Sequence, residues 1–416
     1  MGNDIFDSAY DFCSLLPLFY NHDSTIAQPD QEFYNFGIGD ICKVPDLHEI
    51  LTDTINKMFK TTPSLIGRLP GMQGHDGLSS LLANIVENET GLKTQKEDLV
   101  LTDGGCDGIV LGAMSACCPG EGLAYAVPSF PYWCVLRGTS IVQCPIAFES
   151  PIDYQKQFVK RMIDTLDSNP RIKAFILNEP HNPTGLALYQ EDLKKLGQYV
   201  TKHNITVLID DVARGLVHVD SENWWGKHFP EEKMILIDSF TKRFASPGLR
   251  LGFVRASDPF KKNIRGYVAN FRGGVSNLSA HFGFLLASIM MNSGKIDIVR
   301  NEVQRRMLLL RKSLCSNQLN IPEIHVPDWG AYCIISFNGI NLKSGFNGHD
   351  IVKSLFSKGI KVLDDKMLFP PELQFPRRYN MIRLSIGGEP RVEEGMQLFH
   401  RLLKEIIDEN IKTPNN

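Results

Sequence analysis

Six short apolar runs, each closing on polar or turn-forming residues, constrain this chain more than any other feature. They are DLVLT (98–102), GLAYAVP (122–128), KAFILNEP (173–180), ITVLIDD (205–211), KMILIDSF (233–240) and LRLGFVRA (249–256). Runs of this length, rich in β-branched residues and bounded by turn signals, read as buried strands. Between them lie helical patterns such as QEDLKKLGQYVTKHN (190–204), with apolar Leu193, Leu196 and Val200 on one face. Strands that alternate with helices imply an α/β fold: a mostly parallel sheet covered on both faces.

The last third reads differently. Residues 296–313 form a long helical stretch that could cross between domains. After it come GAYCIISFNG, IVKSLFSKGIKVL, NMIRLSIGG and a terminal helix, VEEGMQLFHRLLKEIIDEN, which together describe a smaller α+β unit. At 416 residues the chain is too long for one simple core. The expected division is an N-terminal segment (1–55) packing with the small unit, a large domain (56–290) and a small C-terminal domain (291–416).

Composition narrows the function classes. The net charge is −3 and charged residues make up 22%, so no bulk field draws the chain to nucleic acid or an anionic membrane. No apolar run approaches the roughly 20 residues of a membrane span. The start, MGNDIFDSAYDF, has no basic n-region and reads as neither a secretory nor a myristoylation signal. Nine scattered cysteines form no CxxC pair and no metal-ligand spacing, which suits reduced thiols in a cytoplasmic protein and no metal.

In an open sheet, ligands sit beyond the carboxyl ends of the strands. Four such ends stand out. TDGGCDGIVLGAMS (102–115) opens a helix on two glycines, which aims backbone N–H groups and a helix dipole at an anion. NEPHNPTG (178–185) is a strong turn. Asp210 and Asp211 end an apolar strand, where an unpaired carboxylate is costly. DSFTKRFASPGLRLG (238–252) carries a lysine, a Pro-Gly turn and an arginine eight residues after the lysine.

Taken together with PSF (128–130) and IRLS (382–385), in this order and spacing over roughly residues 35–400, these elements resemble the class I/II aminotransferase family of fold-type I pyridoxal-phosphate enzymes. The resemblance implies a three-layer large domain with a smaller α+β domain, pyridoxal 5'-phosphate as cofactor, and a homodimer with shared active sites. By it, Lys242 would form the Schiff base with the cofactor aldehyde and move the proton at the substrate Cα. Asp210 would pair with the pyridine nitrogen, Asn182 would donate to the phenolic oxygen, and Phe130 would stack on the ring. Gly104, Gly105, Cys106, Ser239 and Arg250 would hold the phosphate. Arg383 would grip the substrate carboxylate, with Gly39 beside it. Arg272 and Ser276 are candidates for reaching the neighbouring subunit.

The same motifs reveal two departures from the family pattern. A tyrosine usual three residues after the pyridine aspartate is Ala213 here, with Arg214 beside it as a conceivable substitute. A second tyrosine, usual in the neighbour's phosphate contact, is Leu69. The first expectation is amino transfer between an α-amino acid and a 2-oxo acid. The departures keep open a lyase, a cyclising enzyme or an oxidase with the same cofactor, and a non-catalytic sensor is the remote third reading. The substrate side chain is not legible.

Overall fold

The computed structural model describes residues 33–61, 65–67, 69–71, 74–218, 220, 222–316, 323–328, 330–370 and 380–411. Residues 1–32 of the N-terminal segment lie outside this range.

Thirteen strands run in chain order among the described residues: β1 (Tyr34–Asn35), β2 (Leu99–Thr102), β3 (Gly122–Val127), β4 (Val142–Ala147), β5 (Ile172–Asn178), β6 (Thr206–Asp210), β7 (Met234–Ser239), β8 (Gly252–Ala256), β9 (Glu323–His325), β10 (Tyr332–Ser336), β11 (Ile360–Lys361), β12 (Leu363–Asp364) and β13 (Met381–Ser385). Seven of them build one sheet in the order β2-β8-β7-β6-β5-β3-β4. The pairings from β7 through β4 are parallel, and β8 is antiparallel to both its neighbours. The fold is the mostly parallel α/β sandwich that the apolar runs imply.

The sheet separates two apolar layers, and the strand period of two shows why. Met234 and Leu236 of β7 pack into one layer, Ile235 and Ile237 into the other. Val207 and Ile209 of β6 divide from Leu208 in the same way. Helices such as Gln190–His203 and Pro151–Ser168 cover one face, and Gly105–Ala116 covers the other.

Strand β8 shapes the rim of the sheet more than any other. Because it runs against the others, its first residue, Gly252, pairs with the last residues of both β2 (Thr102) and β7 (Ser239). The segment between β7 and β8 therefore starts and finishes at the same rim, the one where the parallel strands end. No added Cβ fits at Gly252: it would stand 2.7 Å from the Gly104 carbonyl carbon.

A four-stranded antiparallel sheet, β9-β10-β13-β12, forms the smaller unit, backed by the helices Gly348–Ser357 and Val392–Asn410. β1 adds in parallel to β11, so the chain just after residue 32 packs on this unit. The helix Ile298–Ser316 spans both bodies. Its Arg300 reaches Glu89 and the Gly215 carbonyl. Its fully buried Arg306 donates to the carbonyls of Cys42, Lys43 and Gly387. β4 has no counterpart among the six apolar runs: its Val142 is exposed and Gln143 and Pro145 interrupt it.

Candidate active site

One cavity of roughly 720 Å³ opens at the rim, and it is lined by every strand end singled out in the sequence. Its walls include Gly39, Gly105, Cys106, Phe130, Asn182, Asp210, Ser239, Lys242, Arg250 and Arg383. Gly104 stands directly behind; a Cβ there would stand 2.9 Å from the Arg250 guanidinium.

At one end lies the start of the helix Gly105–Ala116. Gly104 caps it with φ +87°, a conformation that favours glycine. Arg250 also has a positive φ, 48°, which turns its side chain back from the Pro247–Leu249 turn. Among the described residues its guanidinium donates to backbone carbonyls, those of Pro247 and Asp103, both at 3.2 Å. Ser239 caps the short helix Phe240–Arg243, its Oγ accepting from the Thr241 N–H. The Thr241 side chain also faces the cavity. Cys106 lines the cavity; desolvation, with the Asp210 carboxylate nearby, pushes its thiol up. That is the wrong direction for a nucleophile.

Lys242 sits in that same turn of helix. Its Nζ donates to the Gly39 carbonyl and stands 3.6 Å from Asp40 Oδ1. The neighbouring Arg243 locks the turn from behind: it is buried, bonds Asp238 at 2.7 Å and takes both Glu89 oxygens at 2.7 and 2.9 Å. Such a bidentate pair holds geometry better than a single contact.

Asp210 closes β6 and is buried. Burial raises its carboxyl to about 6, opposed by hydrogen bonds from Tyr132 and the Val212 N–H. Asn178, at the end of β5, bonds the Asp210 carbonyl and takes the Asn182 N–H at 2.8 Å, which joins the NPTG turn to β6. Gly185 ends that turn with φ +71°, and a Cβ there would meet Pro327 at 2.4 Å. Phe130 is held by its N–H to the Asn182 carbonyl, 3.0 Å.

The far end belongs to the small unit. Arg383, on β13, is buried and 4.6 Å above the Tyr332 ring. It donates to Asn182 Oδ1 at 3.0 Å and to the Gly37 carbonyl at 2.8 Å. A cation buried on a strand calls for an anion beside it. Among the described residues Arg383 has none, and its Nε has no partner. Desolvation lowers its pKa accordingly.

Other sequence candidates fall elsewhere. Arg214 does not replace the absent tyrosine: it is buried away from the cavity, donating to the Glu89 carbonyl and lying over the Trp225 ring. Ala213 itself lines the cavity. Asp211 accepts from the indoles of Trp224 and Trp225 at 3.3 and 2.8 Å. Arg272 binds Asp107 at 2.8 Å, and Ser276 caps the helix Asn277–Asn292. Leu69 is 93% exposed. Sequence reasoning missed Tyr132, Asp40, Thr241 and Tyr332. The first sits two residues past Phe130 and the second one past Gly39, so proximity to a motif was the available signal.

The chain matches the family model described as aminotransferase class I and II over residues 32–369. It is 24% identical over 326 residues to aromatic-amino-acid aminotransferase 2 of Thermococcus litoralis, covering 74% of this chain and 77% of that one. It is 25% identical over 333 residues to the aspartate aminotransferase of Pyrococcus abyssi, covering 77% and 79%. Among solved structures it is similar to the aspartate aminotransferase from Thermus thermophilus with maleate, with a TM-score of 0.74, 17% identity and coverage of 96% and 95%. It is also similar to YbdL from Escherichia coli, with a TM-score of 0.76, 18% identity and coverage of 94% and 97%. At these identities the solved structures establish the shared fold.

Proposed function

The chain belongs to the aminotransferase class I and II family, and on that premise we propose that it moves an amino group between an α-amino acid and a 2-oxo acid with pyridoxal 5'-phosphate held at Lys242. The observation that carries this reading is the buried Arg383, a cation with no carboxylate partner among the described residues, facing the same cavity as Lys242. A buried, unpaired guanidinium is costly unless an anion completes it. A substrate α-carboxylate is such an anion.

The cavity walls fit the cofactor. Only glycine at position 104 leaves the gap between the helix start and Arg250 open, because a Cβ would fill it. A phosphate there would meet the N–H groups of Gly105 and Cys106, the Ser239 hydroxyl and the Arg250 guanidinium. Asp210 would face the pyridine nitrogen and Phe130 the ring. Asn182 has its Oδ1 committed to Arg383, which leaves its Nδ2 as the donor for the phenolic oxygen. Lys242 would reach the aldehyde.

The cofactor supplies an aldehyde that condenses with amines and a protonated ring that takes up electrons from the substrate Cα. The protein supplies the rest. Arg383 and Asn182 orient the substrate so that one bond at Cα faces Lys242. Once its Nζ is released, Lys242 takes the proton from Cα, with the Gly39 carbonyl and Asp40 carboxylate within reach to hold the resulting ammonium. With a division into an N-terminal segment, a large domain and a small domain, Lys242 and Arg383 sit on different bodies. Closing one on the other would then bring proton acceptor and carboxylate grip together.

A homodimer belongs to the same proposal. Phe59, Ile66, Leu69 and Phe271 are exposed by 68 to 93%. The segments bearing Ile66, Leu69 and Phe271 adjoin, since Asn277 bonds the Leu65 carbonyl and Gly274 abuts Pro70, and the helix Leu47–Thr61 that carries Phe59 packs against the helix Asn277–Asn292. Clustered exposed apolar side chains mark an interface. No described helix is long and apolar enough to cross a membrane, and all eight described cysteines are free thiols, which supports a reducing compartment such as the cytoplasm.

The test is a screen of single amino acids against the cofactor-loaded protein. Stoichiometric 2-oxo acid without ammonia is expected, restored to catalytic turnover by a second 2-oxo acid, and lost by at least a thousandfold, roughly, in Lys242→Ala. Ammonia released from one amino acid alone would instead establish elimination or oxidation, the reading that Ala213 leaves room for.

A further inference from the structure

Tyr132 is the buried group that the proposed mechanism does not yet use. It opens the short helix Tyr132–Val135 that follows β3, and it is 1% exposed. Its hydroxyl donates to Asp210 Oδ2. Its ring is held edge-on against Tyr125 at 5.6 Å and against Phe130 at 5.4 Å. Two edge-on aromatic neighbours thus hold the ring that carries the hydroxyl. Among the described residues, Oδ1 of the same carboxylate takes the Val212 N–H, at 3.4 Å.

Accepting the cofactor assignment above, we propose that Tyr132 is a positioning residue: it holds Asp210 as an oriented carboxylate, so that the shared proton stays on the cofactor's ring nitrogen instead of moving to Asp210.

The argument is electrostatic. A carboxylate buried at a strand end is driven towards its neutral form by desolvation. Donation from Tyr132 opposes that, and so does Lys242, while the Asp238 carboxylate adds to it. Tyr154 and Cys106 are the other titratable groups near this pair; burial pushes both hydroxyl and thiol up, so both stay neutral. Tyr132 cannot pass its own proton on, because burial and the neighbouring Asp210 charge raise its hydroxyl well above the ordinary tyrosine value. It is a fixed donor. Remove the hydroxyl, and Asp210 becomes the more basic partner of the ring nitrogen. The proton then shifts to the carboxylate, and the ring loses the charge that makes it an electron sink. Ala213 sharpens the point. With no hydroxyl at that position to polarise the opposite side of the ring, the nitrogen end carries more of the control.

The test compares Tyr132→Phe with the unaltered chain, both loaded with cofactor whose ring nitrogen is isotopically labelled for NMR. The unaltered chain is expected to show a protonated ring nitrogen near pH 7. Tyr132→Phe is expected to move that resonance towards the neutral position, to weaken cofactor binding by about tenfold and to lower kcat by a similar factor, with KM for the amino acid nearly unchanged, as for roughly one pKa unit. In cofactor-free protein, the Asp210 carboxyl should titrate at higher pH in the variant. In an Asp210→Asn background the substitution should add nothing. An unmoved ring nitrogen and an unmoved Asp210 titration in Tyr132→Phe would overturn the proposal. Should Tyr132→Phe not fold, a fluorinated tyrosine at 132 keeps the shape and makes the phenol more acidic; Asp210 must then titrate lower, and a constant value overturns the proposal equally. Failure of the unaltered chain to bind the cofactor at all would instead defeat the functional reading on which this rests.

Discussion

Glu179 shows how far burial alone can move a side chain. It lies under the NPTG turn, fully buried, accepting from the Tyr154 hydroxyl at 3.0 Å and the Leu188 N–H at 3.1 Å. Desolvation outweighs both bonds and raises its carboxyl to about 8. A carboxyl whose folded pKa lies above its unfolded value stabilises the fold at low pH. That contribution fades as pH rises from the unfolded value towards about 8. We expect Glu179→Gln, which keeps the shape and needs no proton, to abolish this slope. Thermal unfolding of both proteins across that window should diverge by on the order of 1–3 kcal/mol at the alkaline end, the variant being the more stable. Parallel curves would refute the assignment. The NEPHNPTG motif announces a turn, but its neighbours in sequence do not reveal that Glu179 sits against Tyr154 from a distant helix.

At the scale of elements, caps and charged clamps decide where helices begin. His75 caps the helix Asp76–Thr90: its Nδ1 accepts from the Leu78 N–H. Its Nε2 faces His281 Nδ1 at 3.1 Å, and its ring stacks on Phe284 at 5.0 Å. Desolvation, then the neighbouring His281, pushes His75 down, and desolvation pushes His281 down. Groups held neutral in the fold lend stability above their unfolded pKa and lose it as pH falls below the ordinary histidine value. Protonation also removes the cap acceptor. Acidification from neutral pH should therefore cost about 1 kcal/mol that His75→Asn, which keeps a capping side chain, does not lose. Equal acid sensitivity in denaturant titrations of the two proteins would count against the cap as the cause. Elements were legible where one period dominated: the apolar runs of β3, β5, β6 and β7, and the helix Gln190–His203. β4 was not, because an edge strand with exposed Val142 carries neither period clearly.

For the whole molecule, the open question is what covers the apolar face around Phe59, Ile66, Leu69 and Phe271. A second copy of the chain is the proposed occupant, and closed two-fold pairing suits a self-complementary patch. Replacing Leu69 and Phe271 together by glutamate should convert a dimer to a monomer in sedimentation analysis. Turnover should fall by about tenfold or more if the neighbour completes the site. Unchanged sedimentation would move the interface elsewhere. Leu69, at 93% exposure, is a poor candidate for any role within its own chain.

The sequence by itself determined the sheet-forming runs, the family and the cofactor-sized set of strand ends. Each of these is local: a strand is an apolar run, and a candidate anion site is two glycines at the start of a helix. Tertiary structure decided everything that depends on which distant residues share a rim. It reversed β8, so that Lys242 and Arg250 meet one cavity from the two ends of a single segment. It turned Arg214 away onto Glu89, against the expectation of a substitute for the tyrosine. Among the described residues it left Arg383 buried without an anion, and it set the Tyr132 hydroxyl on Asp210 across 78 residues of chain. Desolvation and pairing act between neighbours in space, and a linear pattern does not record those.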